Sequence, residues 1–528
     1  MKFLSNIRRA FFSKGYDVVK PAFKRQRRGA VVETRGEDRQ LTTAERNEIV
    51  NLHRDMLRNS PLRIMQDQQL RVNSIGTVGG KLYASFPESY ARAKEEVTRF
   101  FNRRFFKHAE FTFGKNFNWL LKTALTAQDS NGNIILVFDD GILTGGNGTG
   151  RIRGFEGDEI ASIPEEEFHK RFPKSYTQSE GFVYNESGVL VGAFVSTSQR
   201  GKKIFDKEGG FLTLKRDPFN DDVTPNWVVL GDMRRFNQGR AISPVTSALP
   251  GIVDTHEMLG SENQAAKLNS QLVYQILKTG DNGEEAGFAG GALPLPGATG
   301  GDAAEVPEKV FDVKPLKTIG AVGLDNPDGV KVELLDTKHP NANFPNYIDF
   351  QLGVSGGTRG LARVYSTLKA QTSYTAFRGE QVMTQPTFEE IRKDLERDVC
   401  DWAARLVIER AVRLGLITAA LPEYWYEMIA WAWPTMREVS VKEAEAGRQL
   451  KLQNGVTSLT RELGPGEMER VLEERKREKA LFDAAGLVYP GETTASGQIK
   501  ETPSDEELSD YLAHLARLAR LDTERKKI

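Results

Sequence analysis

The chain has 528 residues, 39% of them hydrophobic and 27% charged, so it folds and is too long for one ordinary core; two to four structural regions are expected. Its 72 basic and 72 acidic residues cancel, which excludes a tight nucleic-acid binder built on bulk positive charge and permits only weak local contact. The single cysteine, Cys400, excludes an internal disulfide framework and a cysteine-based zinc cluster, and reads as a buried structural thiol in a reducing, intracellular setting.

No run of about 18 uncharged apolar residues occurs, so no membrane span is expected. Residues 1–45 form a basic arm in which Arg8 and Arg9 interrupt what would be a signal segment. With its Lys24, Arg25, Arg27, Arg28 cluster, this arm is either simply solvated or binds nucleic acid or an acidic partner.

The first helix is expected over Thr43–Asn59, with Thr42 and Glu45 at capping-box spacing and Pro61 just past its end. A second follows Pro87, with Tyr90, Ala93, Val97, Phe100 and Phe101 along one side, and a third spans Phe117–Gln128. Asn131-Gly132 turns the chain into a strand, Ile134–Phe138. A hairpin joins Phe182–Asn185 to Val189–Ser196, and Trp227–Leu230 reads as a further strand. Residues 43–235 are therefore a mixed α+β region.

Ser243-Pro244 opens a helix with its preferred first residues, which Pro250-Gly251 must bend or interrupt; its apolar positions continue to Leu268, Leu272 and Ile276. Residues 279–308 turn rich in Gly, Ala and Pro, and the strand-like segments Val310–Val313 and Val330–Leu335 follow. A small β finger thus projects between two helices, one ending at Lys278 and one near Tyr347. Next comes a Gly-rich basic turn, Gly353–Thr372, with Arg359, Arg363, Lys369 and no acidic residue. It leads into one very long helix, broken once at Pro386, whose stripe is Phe388, Ile391, Leu395, Val399, Trp402 and Leu406. A cationic loop at the head of such a helix suits contact with a polyanion better than a pocket for a small substrate.

A Trp/Tyr-rich patch (Trp425, Tyr426, Trp431, Trp433, Pro434) is followed by charged helices near Lys442–Gln453 and Pro465–Phe482. A disordered linker over 487–503 and a last amphipathic helix, capped by Ser504 and Glu507, close the chain. The stripe of that helix needs a partner, in the same chain or in a neighbouring subunit.

The motifs that could carry chemistry are poor. Gly353-Val-Ser355-Gly-Gly357 has the G-x-S-x-G spacing of a hydrolase nucleophile elbow, but the residues before it do not read as a strand, and His514 is the sole downstream histidine. Its glycines read as a source of flexibility. Gly76–Lys81 lacks the Ser or Thr a P-loop needs, with Leu82 in its place. The Gly145–Gly150 segment reads as a surface loop. The six histidines show no i, i+4 pair, His256 reads as a helix packing residue, and adjacent Asp139 and Asp140 face opposite ways, so neither a metal nor a cofactor is expected.

Taken in order, four stretches resemble the lambda-type phage portal proteins over roughly 45–480: Gly181–Phe194; Gly239-Arg-Ala-Ile-Ser-Pro-Val245; Gln371-Thr-Ser-Tyr-Thr-Ala-Phe-Arg378; and the run from Trp433-Pro434 through Val441-Lys-Glu-Ala444 and Leu450–Gly455 to Thr460–Gly464. Gly353–Ala362 matches the family pattern poorly, and Val441 stands where the family usually has Pro. The resemblance implies an α+β, mainly helical portal fold with wing, stem, clip and crown. On this chain the wing falls at 46–242 with the long kinked helix and Trp-rich segment 373–440, the stem helices at 243–278 and 336–352, the clip at 279–335, the tunnel loop at 353–372 and the crown helices at 441–528.

It further implies a non-enzymatic homo-oligomeric ring, a dodecamer, at one capsid vertex of a virion made in the host cytoplasm. Double-stranded DNA would pass through it during packaging and ejection, with Arg359, Arg363 and Lys369 facing the channel. The implied partners are the large terminase subunit, the major capsid protein, head-completion and neck proteins, and DNA, with no membrane. The neutral composition agrees: roughly 6–10 phosphate contacts would grip DNA rather than let it slide. The alternatives are a serine hydrolase using Ser355 and a DNA-binding scaffold that forms no ring.

Overall fold

The computed structural model describes residues 41–196, 211–216, 223–236, 238–271, 274–278, 330–334, 343–369, 373–434, 441–459 and 467–484. It is a mixed α and β architecture, mostly helical, with four small sheets among the described residues. Residues 1–40 of the N-terminal arm, the strand expected over Val310–Val313, the linker at 487–503 and the last helix lie outside the described residues, and the end of the arm, Thr43–Glu45, is the first turn of a helix.

The first helix, α1 (Thr43–Asn59), begins as expected: the Thr42 hydroxyl accepts from the Glu45 amide and the Glu45 carboxylate accepts from Thr42 N–H. Such a cap stabilises by about 1 kcal/mol. Pro61 does not simply end it. Proline is favoured at the first helical position, where its missing N–H would have no partner, and here it opens α2 (Pro61–Ile75).

After β1 (Lys81–Ala84), helix α3 (Ala91–Arg99) passes into a π-helical turn, Phe100–Phe105, and α4 (Phe117–Asn131) starts at an Asn116 cap. Gly132, at φ +80°, turns the chain into β2 (Asn133–Phe138), the central strand of the antiparallel order β3-β2-β8, with β3 at Ile152–Phe155 and β8 at Trp227–Gly231. Every residue of β2 is buried, because alternate side chains serve different cores. Ile134, Leu136 and Phe138 join a helical core. Ile135 and Val137 join Phe155, Phe182, Val195, Leu214 and Trp227 in a core shared with the second sheet.

Helix α5 (Glu165–Arg171) buries Phe168 against the other face of that second sheet, which is formed by β4 (Thr177–Ser179), β5 (Phe182–Tyr184), β6 (Leu190–Ser196) and β7 (Phe211–Lys215) in that order. The expected hairpin is β5–β6, with a register shift at Val183/Tyr184.

Beyond β8, Pro244–Ser247 forms a 3-10 turn and α6 (Leu249–Gln271) follows, so the Pro250 interruption falls at the very start of the helix. The helical reading of Ile276 is corrected: Tyr274–Lys278 is a strand, β9, paired antiparallel with β10 (Val330–Leu334) from Val330↔Lys278 to Leu334↔Tyr274. Its backbone groups are satisfied by a partner far along the chain, which local spacing does not reveal.

Two corrections concern the segment that leads to the long helix. Gly353–Gly357 is not part of a loop but the last turns of α7 (Phe344–Gly357), and a short helix, α8 (Arg363–Thr367), interrupts the remainder. The long helix is not broken at Pro386. α9 (Tyr374–Leu395) runs through it, and the irregularity is a π-helical turn, Glu396–Cys400, before α10 (Asp401–Arg413).

All six stripe residues from Phe388 to Leu406 are buried, in one core with Leu70 and Ile75 of α2, Phe101, Phe117 and the inner residues of β2. Cys400 is fully buried there, and burial raises its thiol pKa well above the ordinary range. The π turn is held from outside by the Trp-rich patch. Trp431 Nε1 donates to Asp401 at 2.7 Å and Trp433 Nε1 donates to Glu396. Trp431 belongs to β11 (Ile429–Ala432), which pairs with β1. The charged helices α11 (Val441–Gln453) and α12 (Glu467–Ala484) complete the described chain.

Candidate nucleic-acid interface

The segment from α7 to α9 is fixed to the body by polar contacts at each step. Gly356 lets α8 lie against α7: a Cβ there would stand 1.7 Å from Ser366 Oγ. Gly360 takes φ +72°, a left-handed turn that suits glycine. Gly356, one of the motif glycines read as a source of flexibility, thus supplies close approach instead, and Gly360 supplies a turn. Thr387 Oγ1 donates to Gly360 O at 3.2 Å, Ala362 N–H to Thr384 Oγ1 at 3.0 Å, and Val364 N–H to Glu380 Oε2 at 2.7 Å. Backbone groups that would otherwise be orphaned at the turn are met by α9 side chains.

The three cations separate into two groups. Arg359 points inward: its Nε lies 3.0 Å from Asp129 Oδ1, a carboxylate with no exposure, and its own side chain is 17% exposed. Arg63 approaches the same carboxylate from α2 at 3.5 Å. Arg363 and Lys369 face outward, 49% and 61% exposed, and converge on Asp349 Oδ2 of α7 at 3.3 and 2.7 Å. Two cations on one carboxylate leave the outer surface of the turn with an excess positive charge, in a solvated setting where each pair contributes little stability. Behind the turn lies a cleft of about 510 Å³ whose lining mixes Asp232, Arg234, Glu390, Asp394 and Arg397, with Arg397 Nη2 3.0 Å from Asp394.

The buried network continues behind Asp129. Asp67 accepts from Thr126 Oγ1 at 2.9 Å and pairs with Arg71 at 2.8 Å, and burial raises its pKa. His53 Nε2 sits 3.2 Å from Thr246 Oγ1; burial, then the nearby Arg63 charge, lowers its pKa to about 3, so it is held neutral. The sequence named the cations of the turn and missed Asp129 and Asp349, which decide which way they point. Asp349 lies on α7 ahead of the turn, where i, i+3 and i, i+4 spacing cannot connect it to Arg363 or Lys369.

Ser355 does not fit a nucleophile elbow. It is buried within α7, accepts from Gln66 Nε2 at 2.7 Å and donates to Leu352 O at 3.0 Å. An elbow needs its hydroxyl exposed on a strand-to-helix turn. Asp139 serves the Gly-rich loop after β2: the amides of Thr149, Leu143 and Gly141 donate to it, and against burial, which acts the other way, they lower its pKa. Asp140 instead holds Arg410 at 2.5 Å and also contacts Arg413, both on α10. Among the described residues no group of three His, Cys, Asp or Glu side chains could hold a metal ion, and no helix is long and apolar enough to cross a membrane.

A family model described as phage portal protein, lambda family, matches residues 23–392. No curated protein matches the chain. Among solved structures, the chain is similar to one described as the neck of an empty gene transfer agent (GTA) particle computed with C6 symmetry. The identity is 12% and the TM-score 0.40, over 80% of this chain and 93% of that one. A chain from the neck of a native GTA particle computed with C12 symmetry gives 11% and 0.40, over 80% and 92%. One from the virion of a native GTA particle gives 11% and 0.39, over 78% and 90%. Likeness at these values carries no further argument.

Proposed function

Since the chain belongs to the lambda family of phage portal proteins, a component of the tailed-phage virion at the head–tail connector, we propose that copies of it close into a homo-oligomeric ring, a dodecamer, through which double-stranded DNA passes. The observation that carries this reading is the outer side of α7. Tyr347, Phe350 and Val354, at i, i+3 and i+7, leave an apolar stripe uncovered, with Phe350 65% exposed. On α9, Val382 and Met383 are likewise exposed. A single chain gains nothing from such stripes, whereas a head-to-tail ring buries each against a different surface of the next copy.

The excess cations fit the same reading. Arg363 and Lys369 are the channel-facing pair, repeated by the symmetry of the ring, and Arg359 holds the turn that presents them. Contacts that are few and partly neutralised by Asp349 guide DNA without gripping it. In the proposed division, residues 46–242 and 373–440 form the wing, 243–278 and 336–352 the stem, 279–335 the clip, 353–372 the tunnel segment and 441–528 the crown, with 1–45 as the arm. The proposed partners of the ring are the large terminase subunit, the major capsid protein and the head-completion and neck proteins.

Native mass measurement and electron microscopy of the purified assembly test the ring: a monomer or dimer without a bore ends the reading. The channel role is tested by Arg363→Ala with Lys369→Ala. The ring is expected to assemble with unchanged mass while the yield of DNA-filled heads falls several-fold. An unchanged yield removes the role assigned to the pair.

A further inference from the structure

A second cationic surface lies well away from the turn in sequence, at the π-helical Phe100–Phe105 segment and the 3-10 turn Phe106–His108 that follows it. Phe101 and Phe105 are buried in the main core with their rings 5.0 Å apart, and the half-buried Phe100 and Phe106 pack against it. Arg103 and Arg104 are left on the outside with Lys107 beyond them, all three exposed. Together with Arg99 they line an open groove of about 520 Å³, whose far wall is Leu416 and Thr418 after α10. No residue of the Gly356–Lys369 segment lines it.

The acid on its rim, Glu96, is already engaged: the amides of Ala419 and Thr418 and the guanidinium of Arg92 donate to it and lower its pKa to about 2. Arg99 has Glu95 at 3.6 Å, both exposed. Arg103, Arg104 and Lys107 face the groove with no acid of the groove left to offset them.

We propose that this groove is a second contact for the phosphate backbone of duplex DNA, separate from the channel-facing pair. Its cations are strung along the helical segment from Arg99 to Lys107 rather than gathered on one point. That shape suits the line of phosphates of a strand, which recur about every 3.4 Å along the duplex axis, not one small anion. An acidic protein segment fits less well, because docked segments need an apolar anchor. Of the apolar side chains at the groove, Phe100 is covered by the Arg104 guanidinium at 5.6 Å, and Leu416 stands alone on the far wall. The inference rests on the portal reading, which brings duplex DNA alongside the chain.

The test is the salt dependence of binding of a short fluorescent duplex to the full-length assembly. Arg103→Ala with Arg104→Ala and Lys107→Ala is expected to weaken binding and to flatten the log–log salt slope by about 2–3, at roughly 0.9 per lost phosphate contact. Should loss of the Arg104 stack perturb folding, Arg103→Gln with Lys107→Gln spares it and is expected to flatten the slope by about 2. An unchanged slope in a variant with native melting temperature overturns the proposal. So does a variant whose assembly mass changes while its DNA binding does not, which would give the groove to an acidic protein segment. If the native protein proves not to be a ring and the slope still flattens, the ring reading fails and the groove stands.

Discussion

Two guanidinium groups, from Arg63 and Arg359, converge on the buried Asp129 carboxylate at 3.5 and 3.0 Å. Removing the shared acid leaves Arg359 without its carboxylate and Arg63 with only the charge of Asp67 nearby, so Asp129→Ala is expected to cost about 3–5 kcal/mol in denaturant unfolding. A cost under about 1 kcal/mol would mean that water reaches the site and replaces the acid. His53, beside Arg63, gives a pH signature of the same packing. The unfolded chain takes up a proton near 6.5, while the folded chain resists it down to about 3. The stability due to His53 is therefore complete above about pH 6.5 and is lost as the pH falls towards 3. From pH 7 to pH 5 that loss is about 2 kcal/mol, and His53→Gln should lose less stability over the interval by that amount. An identical pH dependence in the two proteins would show that His53 is already open to solvent.

At the scale of elements, the legible parts of the sequence were those governed by neighbours a few residues away. The Thr42–Glu45 box fixes the start of α1, and the stripe Phe388 to Leu406 fixes the buried side of α9 and α10. What was not legible depends on distant partners. β1 reads as a strand only with β11 beside it, β9 only with β10, and Arg359 is drawn inward only because Asp129 waits at the end of α4. The glycines before α8 show the same limit, since sequence alone does not tell which glycine fills a tight space and which could be replaced. Gly356→Ala would drive a methyl into Ser366 and is expected to destabilise by about 1–3 kcal/mol. Gly353 lies in the same helix with open space around its Cβ position, so Gly353→Ala should stabilise by about 0.5–1 kcal/mol. Thermal melts of the pair decide the matter. Equal shifts would mean that α8 does not sit against α7 in solution.

At the scale of the whole molecule, a chain with no net charge carries its cations unevenly and leaves apolar stripes where a lone globule would cover them. Composition could suggest weak polyanion contact, but it could not show that one side of α7 stays bare, because that depends on where α6, α8 and α2 pack. The bare side is where the ring reading is most exposed to test. Burying a phenylalanine contributes about 1.5–3 kcal/mol, and each 1.4 kcal/mol is a tenfold change in association. Phe350 is 65% exposed, so Phe350→Glu should leave the fold of one subunit intact. In an assembled ring the same change would bury a charge without a partner at every subunit contact, weakening each by at least about tenfold. The expected outcome is an unchanged melting transition with loss of the large particle to monomers in native mass measurement. A ring that persists at full mass with glutamate at this position would place the contact between copies elsewhere, and α7 would then need another partner to cover it.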